Sequence, residues 1–235
     1  MTKIVLPISG GMDSTVLLHK AAKEYKHVYA LSFNYNQRHI NELIYAKYQA
    51  NLFLNVTYKV IDVSFIRDIA PTSSLTNNNI DTPNVNEIKG EAQPKSYVPN
   101  RNVIFLSIAT AYAEAVGAEE VWHGAAQADS LAGYWDGSIE FIEQINKLNE
   151  LNRDKRIKIS APLIDMSKAD IIKLGVKLGV DFSKTYTCYS GNDLPDATTA
   201  SSSLRLQGFI QAGIRDPLVY KQQDEIEKVY TKNGI

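Results

Sequence analysis

Short apolar runs alternate with helical periodicities along the chain, and that alternation sets the expected fold. Ile4 to Ile8 reads as a buried strand, followed by a Gly10-Gly11 turn and a helix from about Ser14 to Tyr25. Val28 to Phe33 and Val56 to Val60 read as the next two strands. Between them Asn41 to Phe53 reads as a helix, with Leu43, Ile44, Ala46 and Ala50 apolar. Arg101 to Val116 is almost continuously apolar (Val103, Ile104, Leu106, Ile108, Ala109, Ala111), which predicts a buried helix closed by Gly117. Val121-Trp122-His123 and Ile157 to Ala161 follow as strands, separated by a helix from Ile139 to Leu151. Ser167 and Asp170 have the spacing of a capping box, with Asp in place of the usual Glu, for a helix running through Leu178. The alternation predicts a doubly wound α/β fold: a mostly parallel sheet with helices on both faces, plus a small C-terminal helical segment.

One stretch breaks the pattern. From Phe65 to Asn100 there is little periodicity, with Pro71, Pro83, Pro94 and Pro99 and the polar run Thr76 to Asn79. A loop of that length inside a domain is functional or disordered. The tail after Pro217 is charged and reads as peripheral. With no repeat or interdomain linker visible, residues 1–235 are expected to form one α/β domain, of which 181–235 is a helical extension.

Composition narrows the classes. A chain of 235 residues buries roughly 70% of its unfolded surface and needs neither metal nor disulfide to fold. Twenty-five Lys and Arg against 26 Asp and Glu give a net charge of −1, which argues against a broad nucleic-acid surface but leaves room for a small anion site. Cys188 is the only cysteine, so no internal disulfide framework exists and a reducing compartment is expected. Met1 to Leu6 is too short an apolar run for a signal peptide or a membrane span. The expectation is a cytoplasmic protein without membrane or nucleic-acid partners.

The chemistry concentrates first in Ser9-Gly10-Gly11-Met12-Asp13-Ser14, between the first strand and the first helix. Two glycines let the backbone turn tightly and approach a ligand. The helix behind them offers free N–H groups and a positive dipole end, and Ser9 and Ser14 add hydroxyl donors, a set suited to phosphate. An ordinary βα turn with a capping side chain is the plain alternative; the whole string, placed after the opening strand, favours phosphate. It contains neither the lysine-bearing Walker pattern nor G-x-G-x-x-G.

The string resembles the pyrophosphate-binding loop of the ATP-pyrophosphatase superfamily, whose adenine nucleotide alpha hydrolase-like members split ATP to AMP and pyrophosphate. Further motifs follow in order: Tyr35-Asn36-Gln37-Arg38-His39 with Glu42, Ser73-Ser74-Leu75-Thr76, Tyr97 to Asn102, Gly133-Tyr134 with Asp136, Pro162 to Asp165 with Lys168, and Thr187-Cys188-Tyr189. Leu204-Arg205, Gly208-Phe209 and Gly213 with Asp216-Pro217 complete the set. Together they resemble the 7-cyano-7-deazaguanine synthase family over residues 4 to about 217.

That resemblance implies a ligase that adenylates 7-carboxy-7-deazaguanine with ATP, forms the amide with ammonia, and dehydrates it to the nitrile with a second ATP. Such chemistry rests on positioning and charge neutralisation. Ser9, Gly10, Gly11, Asp13 and Ser14 would hold pyrophosphate and a Mg²⁺-bound triphosphate, with Phe33 at the same ATP site. Lys168 and Arg101 are the cations placed on phosphate or acyl-phosphate oxygens, and Asp13, Arg101 and Lys168 form the catalytic set. Gln37, Arg38 and His39 follow the second strand at its C-terminal end, where open α/β sheets bind ligands, and are assigned to substrate with Tyr97, Arg101 and Tyr134. His39 belongs to the site but is not assigned as a general base, and His123 reads as core or site wall. Asp129 and Asp136 flank Gly133-Tyr134, and a carboxylate there can pair with the N1–H and amine of a guanine-like ring. For Asp136, an N-cap before Ile139 is an equal alternative. The resemblance also implies a homodimer.

Two departures stand out. The family ordinarily carries four cysteines that bind a structural zinc; Cys188 matches the first, and Asp196, Thr199 and Ser202 stand in the other three places. One thiolate and one carboxylate do not make a tetrahedral Cys₄ site, so structural zinc is expected to be absent. Asp196 is instead expected to N-cap a helix from Ala197 to Gln211, with Leu204, Phe209 and Ile210 inward. Trp135-Asp136-Gly137-Ser138 replaces a family Pro-Asp-Cys-Arg, and losing that Arg can change which carboxylate or amide is handled. Asn36 for the usual Gly is milder, because Asn tolerates left-handed backbone. The competing readings are a sister ligase that stops at the amide or joins the activated deazaguanine to another acceptor, and a silent nucleotide-binding relative. A tRNA-thiolating role is disfavoured, since Cys188 leaves no second thiol.

Overall fold

Among the described residues, five parallel strands form the centre of the protein, in the order β3-β2-β1-β4-β5. They are β1 (Lys3–Pro7), β2 (His27–Asn34), β3 (Val56–Asp62), β4 (Glu120–Trp122) and β5 (Lys158–Ser160). The computed structural model describes residues 3–84, 86–87, 93–126, 134–187 and 194–235. Asp129, Gly133, Cys188 and Tyr189, singled out above, lie outside the described residues.

Alternation of side chains along β1 shows why both faces must be covered. Ile4 and Leu6 point into a cluster with Val16, Leu17 and Leu18 of α1 (Met12–Glu24) and with Ala46 and Ala50 of α2 (Glu42–Ala50). Val5 points the other way, into a cluster that includes Ile66 of the short α3 (Ile66–Ile69) and Leu106, Ala109 and Ala113 of α4 (Arg101–Val116). Phe141 and Ile142 of α5 (Ile139–Asn149) share that second cluster. On the first face, α6 (Lys168–Leu178) supplies Ile171 and Ile172, and α7 (Ala200–Ala212) supplies Phe209. The fold is therefore the doubly wound α/β arrangement that the alternation predicts. Among the described residues no helix is long and apolar enough to cross a membrane.

The order reverses between β1 and β4, each running parallel to its neighbours, with Val5 opposite Val121. Reversal opens a crevice at the C-terminal ends of these strands, where doubly wound sheets bind ligands. The loop after β1 and the His123-Gly124 turn after β4 both enter it.

Local capping agrees with the sequence at α6. Ser167 Oγ accepts from Asp170 N at 3.2 Å, and Asp170 Oδ2 accepts from Ser167 N at 3.3 Å, a reciprocal capping box. Among the described residues, Asn36 and Asn100 are the non-glycine residues with positive φ, 56° and 54°. Three expectations are corrected. The C-terminal helix begins at Ala200, after Thr199; Asp196 Oδ1 accepts from Thr198 N and Thr199 N in the preceding turn and so does not cap a helix from Ala197. α4 is buried only along Leu106, Ala109 and Ala113, because a helix apolar all round still presents just one stripe to the sheet. The charged tail is not peripheral: α8 (Gln223–Lys232) packs Ile226 and Tyr230 against Leu206 and Tyr220.

Candidate active site

Gly10 fixes the shape of the loop after β1. Its φ is +75°, and a Cβ there would lie 2.4 Å from Glu42 O and 2.6 Å from Ala46 N. No side chain fits, so the loop presses directly against the start of α2. Two serines fold the loop over itself. Ser14 Oγ donates to Gly11 O at 3.1 Å and accepts from Ser9 N at 3.2 Å, while Gly11 N donates to Ser9 Oγ at 3.3 Å. Gly11 is the N-cap of α1 and contributes no side-chain cap, which leaves the positive end of that helix facing the crevice.

Asp13 lies in the first turn of α1, and Lys168 is the first residue of α6. Lys168 Nζ and Asp13 Oδ2 are 2.5 Å apart, joining two helices 155 residues distant in sequence. The second carboxylate oxygen, Asp13 Oδ1, is buried and has no hydrogen-bond partner. Gly208 of α7 passes close enough that a Cβ would be 2.8 Å from Lys168 Cβ, so the lysine is held between two helices. An orphaned hard oxygen beside an open helix N-terminus fits a Mg²⁺ ion carried by a triphosphate.

These groups face a cavity of about 320 Å³, within the range of small-molecule sites. Phe33 at the end of β2 and Phe105 of α4 stack with centroids 4.0 Å apart and planes 9° from parallel, giving it one flat apolar wall. Arg101 opens α4 into the cavity, its Nη1 donating to Tyr35 OH at 3.3 Å. Leu75, Pro83 and Ser96 of the long aperiodic segment close one side, and Ser96 Oγ is 2.7 Å from Tyr134 OH.

Of the residues singled out from the sequence, the cavity gathers Ser9, Gly11, Asp13, Ser14, Phe33, His39, Arg101, Tyr134, Asp136 and Lys168. Gly10 shapes the loop from behind. Gln37 lies off the wall, its Nε2 donating to Phe33 O at 3.2 Å and Glu42 Oε1 at 2.9 Å. Arg38 also lies off the wall and fastens the aperiodic segment through Asn77 O and Ile80 O, at 3.3 and 3.1 Å. Tyr97 OH accepts from Trp135 Nε1 at 3.0 Å and from Asn100 N at 3.3 Å, bracing that indole. Asp129 lies outside the described residues. The N-cap alternative for Asp136 fails, since Ser138 Oγ takes that place by accepting from Phe141 N at 3.1 Å. His123 lines the cavity and its Nε2 meets the Asp136 carbonyl at 3.3 Å.

Burial dominates the electrostatics. It lowers the His39 pKa to about 3, helped by the charges of Arg101 and Arg38, and it lowers that of His123. It raises Glu42 to about 8 against the opposing pull of Gln37 and Arg101, and Tyr35 to about 12. His39 Nε2 and Glu42 Oε2, 3.5 Å apart, are therefore both mainly neutral at pH 7, and their contact is polar rather than ionic. Sequence reasoning gave no role to Tyr35, Glu42 or Arg205, all of which line the cavity. For Glu42 and Arg205 the available signal was a charged residue at an inward position of a helix.

At the four-cysteine positions, Thr199 Oγ1 donates to Ser202 Oγ at 3.0 Å and Asp196 Oδ1 accepts from Thr199 N at 2.8 Å. Among the described residues no group of three or more His, Cys, Asp or Glu side chains is placed to hold a metal ion.

A family model described as queuosine biosynthesis protein QueC matches residues 3–213. Among curated proteins, 7-cyano-7-deazaguanine synthase 2 of Colwellia psychrerythraea is 40% identical over 220 residues, covering 94% of this chain and 99% of that protein. The 7-cyano-7-deazaguanine synthase of Oceanobacillus iheyensis is 41% identical over 93% of this chain and 98% of its own length. That of Thermoplasma volcanium is 39% identical over 99% and 95%. Among solved structures, the chain is similar to NMN synthetase from Francisella tularensis, with a TM-score of 0.49 and 16% identity over 97% of this chain and 84% of that one.

Proposed function

The chain belongs to the queuosine biosynthesis protein QueC family, and from that premise we propose that it makes 7-cyano-7-deazaguanine from 7-carboxy-7-deazaguanine, ammonia and ATP. The observation that carries the reading is the Asp13–Lys168 pair at the mouth of an open helix N-terminus, on a cavity with a flat aromatic wall. The α1 amides with Ser9 and Ser14 hold the phosphates, and Asp13 Oδ1 would take the Mg²⁺ that neutralises their charge. Lys168 and Arg101 stabilise charge that grows on the phosphoryl and acyl oxygens as the carboxylate is adenylated. Phe33 and Phe105 give a stacking surface, and the buried Asp136 accepts from the N–H groups of the deazaguanine ring. Ammonia then displaces AMP to give the amide, and a second adenylation drives dehydration to the nitrile. We place this activity in a cytoplasmic homodimer of single-domain subunits, with no nucleic-acid or membrane partner.

One observation favours a second outcome. Ser138 is used as the cap of α5, so no cation projects from the position where the family carries Arg. A sister reaction that stops at the amide, or transfers the activated acyl group to another acceptor, follows if that Arg drives the second adenylation. Mass analysis of the products after incubation with ATP, ammonia and 7-carboxy-7-deazaguanine separates the two. Nitrile supports the main reading; amide alone supports the sister reaction; consumption of neither substrate overturns both.

A further inference from the structure

Beside the phosphate loop, the cavity wall holds a polar cluster that nucleotide binding does not use. Glu42 opens α2 with its backbone carbonyl against Gly10, and its carboxyl is buried at the cavity. Its Oε1 accepts from Gln37 Nε2 at 2.9 Å. Its Oε2 lies 3.5 Å from His39 Nε2, which lies 3.5 Å from Tyr35 OH. His39 and Tyr35 line the same cavity. Taking a carboxyl out of water is costly, and packing alone gives no reason for one here. Polar atoms this closely spaced can share one small hydrogen-bond donor lying over them.

Resting on the ligase reading above, we propose that Glu42, His39 and Tyr35 form an ammonium site, in which Glu42 in its ionised form removes the proton that keeps ammonium from acting as a nucleophile. One N–H bond breaks, its proton joins a Glu42 oxygen, and the electron pair stays on nitrogen. That nitrogen attacks the acyl carbon of the adenylated substrate. The C–N bond forms, and the bond from carbon to the AMP oxygen breaks with its electrons leaving on AMP. A second N–H proton and the proton on Glu42 pass to solvent.

The surroundings suit that step. Arg101 from α4 and Arg38 from the β2–α2 connection keep the imidazole neutral, and the same charges favour ammonia over ammonium. Gln37 holds one oxygen of Glu42, Tyr35 stands on the far side of His39, and Tyr58 of β3 faces the carboxyl from the sheet. A carboxyl raised to about 8 by burial is a base matched to a weak acid such as ammonium, the condition for efficient proton transfer.

The test compares Glu42→Gln with the unaltered protein using two nitrogen nucleophiles. Ammonium is almost wholly protonated at neutral pH, whereas hydroxylamine is mostly unprotonated. With ammonium, kcat/KM is expected to fall about 10²-fold or more, the scale of a lost general base. With hydroxylamine, the variant is expected to stay close to the unaltered protein. An equal loss with both nucleophiles, or no loss with ammonium, overturns the proposal. Substrate-dependent exchange of labelled pyrophosphate into ATP without ammonia is the control: its absence from the unaltered protein refutes the ligase reading instead. Should the variant not fold, the unaltered protein still decides. Between about pH 8 and pH 9, above the Glu42 value, its rate at fixed total ammonium is expected to level off while free ammonia keeps rising, and strict proportionality to free ammonia over that range overturns the proposal.

Discussion

Arg205 and Asp216 face each other inside the protein as a two-pronged ion pair, with Nε to Oδ2 at 2.7 Å and Nη2 to Oδ1 at 2.9 Å. Their side chains are 1% and 0% exposed. The remaining guanidinium hydrogens reach Thr185 Oγ1 at 2.6 Å, Thr187 Oγ1 at 3.1 Å and Phe182 O at 3.0 Å. Tyr220 OH and Leu218 N donate to Asp216 at 2.7 and 3.0 Å. A buried pair is tolerable only when its spare donors and acceptors are all used, as they are here. The pair ties α7, the 182–187 segment and the turn leading to α8 into one unit against the cavity.

Asp216→Asn should therefore cost about 3–5 kcal/mol, because it leaves the Arg205 charge buried without compensation. Arg205→Lys should also destabilise, since an ammonium cannot replace a planar fork. Urea unfolding of each variant measures both effects. A loss below about 1 kcal/mol for Asp216→Asn, the level of an exposed pair, would show that the clasp is not holding the C-terminal unit.

Asp13→Asn and Ser14→Ala are each expected to leave the fold intact and to lower ATP-to-AMP turnover at least about tenfold, because the loop positions charge that forms in the transition state. The released nucleotide is expected to be AMP, with pyrophosphate. Wild-type rates in either variant would reduce the loop to a structural turn, and ADP as product would contradict the adenylation chemistry.

What the sequence made legible follows from how local each signal is. The strand, the Gly10-Gly11 turn and α1 are contiguous, and the capping box at Ser167 and Asp170 needs only four residues. Asp136 stayed ambiguous because Ser138, two positions later, competes for the same cap, and only the folded chain decides between them. The exposed part of α4 could not be read, since a helix apolar on every side carries no periodicity to say which stripe meets the sheet. The tail was illegible for another reason. Its burial depends on Leu206 of the preceding helix, although Ile226 and Tyr230, four apart, do carry the spacing of one helix face.

Glu42 should also leave a mark on stability. Its pKa is about 8 in the folded protein against an ordinary value of 4.5, so the native state keeps a proton that the unfolded chain releases. The contribution is complete below about pH 4.5 and is lost as pH rises through about 8. His39, at about 3 against 6.5, acts oppositely: its contribution is present above 6.5 and is lost as pH falls toward 3. Glu42→Gln removes only the first effect. The melting temperature of the variant relative to the unaltered protein is expected to rise steadily from pH 5 to pH 8, and a flat difference would show that this carboxyl does not hold a proton in the fold.

In a Cys₄ site, metal binding contributes folding free energy, so a chelator melts the protein. Here three of the four positions are Asp196, Thr199 and Ser202, whose side chains are engaged with one another and with the backbone around them. Hydroxyls are poor zinc ligands at neutral pH, and the sheet with its two flanking clusters supplies a core without metal. Purified protein is therefore expected to contain no stoichiometric zinc, and a strong chelator to leave its melting temperature unchanged. Cys188→Ser should cost at most about 1–2 kcal/mol, the scale of an ordinary substitution rather than a lost metal site. One zinc per chain by elemental analysis, together with melting on chelation, would mean that the hydrogen bonds among Asp196, Thr199 and Ser202 do not replace the metal.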